Sequence, residues 1–196
     1  MDRVRRIINA QAAYERGYFG ENIGVAILDT GIFPHSDFGR RITYFLDFIR
    51  ERRNVYDDNG HGTHIAGIIG GNGKASNGRY MGIAPRCHFI IIKILDKKGN
   101  GNTENVVQAI EWLVRHKEVY KIRIVNISIG MVLQAESQER ARLLKAVEYA
   151  WDHNLVVVAA AGNNGPRENS VTVPGISRKI ITVGCYDDGK DQIGRS

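Results

Sequence analysis

The chain has 196 residues, of which 43% are hydrophobic and 24% are charged. These proportions are ordinary for a globular domain and exclude a wholly disordered chain. The longest strictly apolar run, 155–161, is far shorter than the roughly 20 residues that a membrane-spanning helix needs. No linker or repeat interrupts the sequence, so we expect a single domain over 1–196.

The chain is basic, with 27 lysines and arginines against 21 acids and a formal charge of +6. A nucleic acid or a membrane surface would attract such charge, whereas a solvated basic face needs no partner. No aromatic stacking motif or basic helix accompanies the arginines, so the sequence favours the solvated face. We therefore expect neither nucleic acid nor membrane as a partner, and nothing indicates the oligomeric state.

Cys87 and Cys185 are the only cysteines, and they form neither a metal-binding motif nor a disulfide scaffold. This favours a reducing compartment. The N-terminal segment is basic, but its only apolar pair is Ile7-Ile8, so it contains no signal-peptide core. The expectation is a cytoplasmic protein; secretion is the alternative if a signal peptide and a propeptide precede this chain.

Apolar, β-branched runs alternate with amphipathic stretches along the chain. The runs predict strands over 23–28, 41–48, 87–95, 122–127, 155–160 and 180–183. The amphipathic stretches predict helices over 61–69, over 104–116 with Thr103 as N-cap, and over 136–153. Continuous apolar strands indicate a sheet covered on both faces. The alternation predicts a three-layer α/β fold with a mostly parallel central sheet, whose functional sites form at the carboxyl ends of strands.

Asp29 ends the first predicted strand in GVAILDTG. A carboxylate there can orient a histidine, or it can simply cap a turn; Asp-Thr-Gly also occurs in aspartic proteases. His61 lies in NGHGTHIAG, where the HxxH spacing permits two metal ligands on one helix face. The alternative is a catalytic base at the first turn of a helix, with room for a substrate beside Gly60 and Gly62. In that case His64 is expected to be a buried packing residue.

Asn163 follows another predicted strand in VVVAAAGNNG. Its amide can stabilise a developing oxyanion, a contribution of about 3–4 kcal/mol in well-studied enzymes. The alternative is a turn asparagine in the left-handed conformation. Ser128 in VNISIGM is either a nucleophile or part of a peptide-docking edge, and no GxSxG nucleophile elbow is present.

Taken in order, the blocks GVAILDTGI, NGHGTHIAGII, GIAP, VNISIG, VVVAAAGNNG and ITVGCYD closely resemble the subtilisin-like serine proteases, the subtilase family (peptidase family S8). The resemblance runs from about residue 17 to the C-terminus, and HGTHIAGIIGGNGKASNGRYMGIAP is most similar to the AprX-type branch. It implies the three-layer subtilisin-like fold and a serine endopeptidase that cleaves extended polypeptides through an Asp-His-Ser triad.

The same resemblance implies roles for individual residues. Asp29 corresponds to the triad aspartate, His61 to the general base and Asn163 to the oxyanion-hole amide. One substrate-pairing edge corresponds to Ser128, Ile129 and Gly130, the second edge to Gly99 and Gly101, and the facing wall of the S1 pocket to Ala160, Ala161 and Gly162. No cofactor is required. Asp37 matches an aspartate that often binds calcium in the family, although the loop over 70–80 lacks a second carboxylate.

One departure from the family pattern concerns the nucleophile. The family's serine lies in a GTSxA block that opens a long helix, and no such block occurs in this chain. We therefore expect the N-terminal two-thirds of a catalytic domain, inactive by itself, with apolar sheet surface exposed where that helix would pack. The alternative is a non-catalytic subtilase-like protein that binds peptides or serves as a scaffold.

Overall fold

The computed structural model describes residues 2–128, 137–165 and 168–185. In these residues, six strands form one sheet in the order β2-β3-β1-β4-β5-β6, and all neighbouring strands run parallel. The strands are β1 (Gly24–Asp29), β2 (Ile42–Asp47), β3 (His88–Lys93), β4 (Ile122–Ile127), β5 (Val156–Ala160) and β6 (Ile181–Val183). Each lies within or at the edge of an apolar run that predicts it.

Two short helices precede β1, and one α-helix lies between each consecutive pair of strands from β2 to β5. They are α1 (Asp2–Ile7), α2 (Ala10–Tyr14), α3 (His61–Gly70), α4 (Thr103–His116) and α5 (Ser137–Asp152), with a 3₁₀ turn at Lys74–Ser76. The N-cap of α4 is Asn102 rather than the expected Thr103, because the Asn102 side chain accepts the Asn105 N–H at 2.7 Å. Thr103 is instead the first residue of the helix, and it is buried.

Three layers build the core. Ala26 and Leu28 of β1 point to the face that α4 and α5 cover, and Val25 and Ile27 point to the face that α3 covers. Because β1 is buried on both faces, its sequence is continuously apolar rather than alternating. The predicted three-layer α/β fold with a parallel sheet is confirmed.

Burial decreases toward one edge of the sheet. All residues of β6 are exposed, with Ile181 at 47% and Val183 at 52%, and Val156 of β5 is 40% exposed. The expectation of a sheet covered on both faces is therefore right for β1 and β3 and wrong for β6, which pairs only with β5 in the described part of the chain. Apolar side chains of the described sheet are exposed along this edge.

The centre of the sheet is also where its strand order changes direction. β1 lies between β3 and β4, so the chain leaves β1 toward one side and later returns to build the other side. Crevices at such a switch point, at the carboxyl ends of the strands, are the usual sites of ligand binding in parallel sheets. Asp29 is the last residue of β1. No helix in the described ranges is long and apolar enough to cross a membrane.

Candidate active site

A buried carboxylate meets an exposed imidazole at the end of β1. Asp29 is fully buried, and its Oδ1 and Oδ2 lie 2.8 and 2.9 Å from Nδ1 of His61, the first residue of α3. A carboxylate only accepts hydrogen bonds, so Nδ1 carries the proton and Nε2 keeps its lone pair. The His61 side chain is 46% exposed, which leaves the ring accessible from solvent. The pair can take up and return a proton at one fixed atom.

The environment of Asp29 suits this chemistry. Burial raises the pKa of Asp29, while hydrogen bonds from His61 and from the Thr30 N–H, at 2.7 Å, oppose that shift. A carboxylate with so little solvation is stabilised by a neighbouring positive charge. Asp29 is therefore placed to stabilise charge that develops on the His61 ring.

A glycine lets α3 approach β1 closely enough for this contact. A Cβ at position 62 would lie 2.2 Å from the Gly31 carbonyl oxygen and 3.2 Å from Cβ of Asp29. Real Cβ atoms do not approach a backbone oxygen this closely, so only Gly62 fits between the helix and the strand end. Gly60, with φ of 105°, makes the left-handed turn that starts the helix. The turn that starts α3 therefore accounts for the glycine before His61, and the close packing of α3 on β1 accounts for the glycine after it.

A buried lysine supports the same strand end. Lys93, the last residue of β3, is fully buried, and its Nζ donates to the Thr30 carbonyl at 2.6 Å and to the Leu95 carbonyl at 2.8 Å. Its third hydrogen bond, at 2.7 Å, goes to Oδ1 of Asp58. A buried cation needs this complete set of acceptors. Nothing in the sequence indicates this role, because a single lysine in an apolar strand gives no signal of it.

Ser128 lies just past the end of β4. Its Oγ accepts a hydrogen bond from the Asn126 amide at 2.7 Å, and no hydrogen bond joins Ser128 to His61 among the described residues. This geometry does not support Ser128 as the nucleophile that His61 activates. Ile129 and Gly130, predicted to pair with a substrate beside Ser128, lie outside the described residues.

Asn163 lies beyond the carboxyl end of β5. Ala160 ends the strand, the Ala161 N–H donates to the Val183 carbonyl at 2.8 Å, and Gly162 has a φ of 97°. The left-handed conformation thus falls on Gly162 and not on Asn163, contrary to the turn-asparagine alternative. Asn163 is exposed, and in the described part of the chain its amide has no hydrogen-bond partner. It is free to donate to a ligand.

The loop with Gly99 and Gly101 follows β3 and lies next to the residues that precede His61. Asn59 donates from its side-chain amide to the Lys97 carbonyl at 3.1 Å, which ties the two loops together. A Cβ at position 101 would lie 2.6 Å from the Ile94 carbonyl oxygen. The loop is exposed, as an edge that pairs with a peptide must be.

His64 is exposed, and the expectation of a buried packing residue is wrong. The buried side of α3 is made by Gly62, Ala66 and Gly70, so His64 faces outward and lines a surface groove with Tyr80. The described residues contain no group of three or more histidine, cysteine, aspartate or glutamate side chains that could hold a metal ion. The HxxH spacing therefore gains no support as a metal motif.

Asp37 makes direct contact with the neighbouring loop. Its Oδ1 accepts the Ala75 N–H at 2.8 Å, and its carbonyl oxygen accepts the Asn72 N–H at 3.0 Å and the Arg41 guanidinium at 2.5 Å. Calcium takes six to eight oxygen ligands, several of them usually carboxylates. One carboxylate that already accepts a backbone N–H is a poor fit to such a site, and we derive no calcium chemistry from it.

Comparison with known proteins identifies the family of this chain. The family model described as the subtilase family, Peptidase S8, matches residues 20–196. Serine protease AprX of Bacillus subtilis (strain 168) is 40% identical over 173 residues, covering 86% of this chain and 39% of that protein. Minor extracellular protease Epr of the same organism is 32% identical over 186 residues, covering 95% and 26%.

Subtilisin DY of Bacillus licheniformis is 32% identical over 189 residues, which is 95% of this chain and 64% of that protein. The chain thus spans less than two thirds of the length of each of these relatives. The family model covers nearly all of the chain, including β1, which carries Asp29, and α3, which carries His61. The chain belongs to the subtilase family.

Proposed function

We propose that the protein containing this chain is a serine endopeptidase that hydrolyses extended polypeptides, and that Asp29 and His61 are two members of its Asp-His-Ser triad. The single observation that carries the proposal is the pair of 2.8 and 2.9 Å contacts between His61 Nδ1 and the buried Asp29 carboxylate. These contacts hold one tautomer, with Nε2 available as a base. Family membership and the names of the relatives, which are proteases, support it.

In the proposed reaction His61 moves one proton in each direction. Nε2 accepts the hydroxyl proton of the nucleophilic serine while the serine oxygen attacks the peptide carbonyl carbon. The C–N bond then breaks as Nε2 gives that proton to the leaving amine. Water repeats the sequence on the acyl-enzyme and releases the acid. Asp29 stays ionised throughout and stabilises the charged ring.

The nucleophile is proposed to be a serine outside these 196 residues. None of the serines in the chain lies in a GTSxA block. Ser128 is engaged by Asn126. In this proposal, residues 1–196 are the part of the catalytic domain that carries the base and its carboxylate.

Binding and charge stabilisation are assigned to the remaining residues of the site. The exposed amide of Asn163 donates to the oxyanion, which forms only near the transition state. The substrate pairs as an added strand between the edge that starts at Ser128 and the loop with Gly99 and Gly101. Ala161 and Gly162, both half-buried past β5, form one wall of the pocket for the substrate side chain. A polypeptide fits these edges because its main chain supplies the hydrogen bonds.

Two finer expectations stay predictions. The Asp37 carboxylate supports a calcium site, whereas the hydrogen bond that it already accepts from the Ala75 N–H argues against one. A cytoplasmic location is weighed against the name of one relative, Minor extracellular protease Epr. Neither enters the proposed reaction.

A fluorophosphonate probe tests the proposal, because it labels only an activated serine. We expect the full-length protein to hydrolyse a peptide substrate and to take label at one serine outside these 196 residues. Replacing His61 with alanine should prevent labelling, and the 196-residue chain alone should take none. No label on the intact protein, together with retained peptide binding, would favour the non-catalytic alternative. Label on Ser128 would place the nucleophile inside the chain and contradict the proposal.

A further inference from the structure

We propose that Thr30 and Asp57 are positioning residues that fix His61 against Asp29, through hydrogen bonds that join the end of β1 to both sides of His61. The inference rests on the proposed function of His61 as the base. Neither residue touches the ring. They act on the backbone that carries it.

Thr30 connects the strand to the helix. It is 1% exposed, and its N–H donates to Asp29 Oδ1 at 2.7 Å. Its hydroxyl donates to Asp57 Oδ1 at 2.9 Å and accepts the Gly62 N–H at 3.0 Å. Its carbonyl accepts from Lys93. Every polar atom of Thr30 is therefore used, and the hydroxyl alone bridges three chain segments.

Asp57 gathers the backbone around position 61. One oxygen accepts the N–H groups of Asn59 and Gly60 at 3.0 and 2.8 Å, in addition to the Thr30 hydroxyl. The other oxygen accepts the N–H and the hydroxyl of Thr63 at 3.0 and 2.5 Å. The carboxylate thus receives donors from residues before and after His61 and from the strand that carries Asp29.

These contacts close a ring of interactions. Asp29 contacts His61 directly, and the path through Thr30 and Asp57 returns to the backbone on either side of His61. The His61 N–H itself donates to Asn59 Oδ1 at 3.1 Å. A movement of the His61 backbone relative to Asp29 must therefore break a second set of bonds. Displacing a catalytic group by about 1 Å can cost on the order of a hundredfold in rate.

The charge state of Asp57 agrees with this role. Burial opposes ionisation, but hydrogen bonds from Thr63, Gly60 and Asn59 outweigh it and lower the pKa of Asp57 to about 2. The carboxylate is ionised wherever a histidine base operates. Both of its oxygens can then accept the hydrogen bonds described above.

An ordinary turn explains only part of the pattern. Hydrogen bonds from the N–H groups of Asn59 and Gly60 are what an aspartate accepts in an Asx turn, whereas the bond from Thr30 comes from the residue that follows β1, 27 positions earlier in the chain. Asp47 offers a matched comparison. It accepts the N–H groups of Ile49, Arg50 and Arg52 and the Tyr56 hydroxyl, but it receives no hydrogen bond from the residues of β1 or α3.

The test uses the full-length protein with Thr30→Val and Asp57→Asn, with Thr30→Ser as the conservative rescue and Asp47→Asn as the control. The first measurement is the proton NMR signal of the His61 Nδ1–H, which lies far downfield when that proton is held by a carboxylate. We expect a sharp signal in the wild type, Thr30→Ser and Asp47→Asn. In Thr30→Val and Asp57→Asn, exchange with water should broaden it or remove it.

The second measurement separates turnover from binding. On one peptide substrate, Thr30→Val and Asp57→Asn should lower kcat about 10- to 100-fold with KM changed less than about threefold. Thr30→Ser should restore kcat to within about threefold. If Asp57→Asn fails to fold, Thr63→Val, which removes one of the five donors, replaces it and should show the same effects more weakly.

The outcomes separate the inference from the proposed function. Folded variants that keep both the NMR signal and kcat would overturn the positioning role, as would a wild type without the signal or an equal loss in Asp47→Asn. The NMR signal needs no substrate and no nucleophile. A protein that hydrolyses no peptide, yet loses the signal only in Thr30→Val and Asp57→Asn, would therefore contradict the proposed function and support the positioning.

Discussion

The junction of β1 with α3 and the carboxyl end of β5 are built in opposite ways. At the junction, Asp29 is fully buried and bonded to His61 and to the backbone. Past β5, Asn163 is exposed and has no partner for its amide in the described part of the chain. The two regions carry different tasks in the proposed reaction, and the difference in their construction follows from those tasks.

A base must point correctly before the reaction begins, so its orientation has to be fixed in the free protein. An oxyanion donor gains its partner only when charge develops, so a donor without a competing bond serves it well. The position of each region in the sheet fits this division. β1 is central and buried on both faces, whereas β5 lies next to the exposed edge strand β6.

Removal of the base should give the largest effect. We expect His61→Ala in the full-length protein to lower kcat by at least about four orders of magnitude, because no other group in the site accepts the serine proton. Binding of a substrate peptide should change little, since main-chain pairing supplies most of the affinity. His64→Ala, on the same helix and exposed, is the control and should keep turnover within about twofold. Steady-state kinetics and peptide titration would measure both, and comparable losses in the two variants would contradict the assignment.

Removal of the oxyanion donor should cost less. Asn163→Ala should lower kcat about 100- to 1,000-fold, because one hydrogen-bond donor to the oxyanion is lost. KM should barely move, since the oxyanion exists only near the transition state. The neighbouring Asn164→Ala is the matched control. A tenfold rise in KM at unchanged kcat would make Asn163 a ground-state binding residue and remove the contrast between the two regions.

A methyl group added in each region compares their rigidity directly. Gly62→Ala should lower the free energy of unfolding by about 3 kcal/mol, because its Cβ would lie 2.2 Å from the backbone oxygen of Gly31, a residue that is bridged to Asp57. Gly162→Ala should cost about 1–2 kcal/mol: its φ of 97° is strained, but the Cβ would meet a side chain, Thr172 Oγ1 at 2.5 Å and Cγ2 at 2.8 Å, which can shift more easily than a backbone oxygen. Urea unfolding of both variants checks this order, and a reversed order would show that the β5 end is the more rigid region.

The pH dependence of stability should distinguish Asp57. Its pKa is lowered from 3.8 to about 2, so the folded state gains stability from the ionised form. That stability is present above pH about 4 and is lost as pH falls through about 2. We therefore expect Asp57→Asn to be less stable than the wild type at neutral pH and to approach it near pH 2. A difference that stays constant from pH 7 to pH 2 would contradict the ionic role.

The sequence predicts the sheet well because parallel strands buried on both faces are continuous apolar runs. Each strand coincides with an apolar, β-branched run, and both α3 and α4 begin within a residue of their expected starts. Residue types alone do not predict the contact of Asp29 with His61, because they leave metal binding and catalysis both open. Only the resemblance of whole sequence blocks to a family indicates a proton-transfer pair.

Other features left no readable signal. Asp57 lies in a run that resembles any Asp-Asn-Gly turn, and its partner Thr30 is distant in sequence, so nothing local reveals the bond between them. The short helix α2 has no side-chain cap to signal its start, and it follows Asn9 in the left-handed conformation. The exposure of His64 depends on how α3 rotates against the sheet, which spacing alone does not determine.

Lys93 gives this architecture a chemical reporter. Its amine has no contact with solvent and each of its hydrogens is bonded to an oxygen atom. An acylating reagent such as acetic anhydride needs a free amine, so it can modify Lys93 only when the carboxyl end of the sheet opens and releases those bonds. Among the lysines of the chain, Lys93 should be acetylated last. The rate of its modification, followed by mass spectrometry, would measure how often this end of the sheet comes apart.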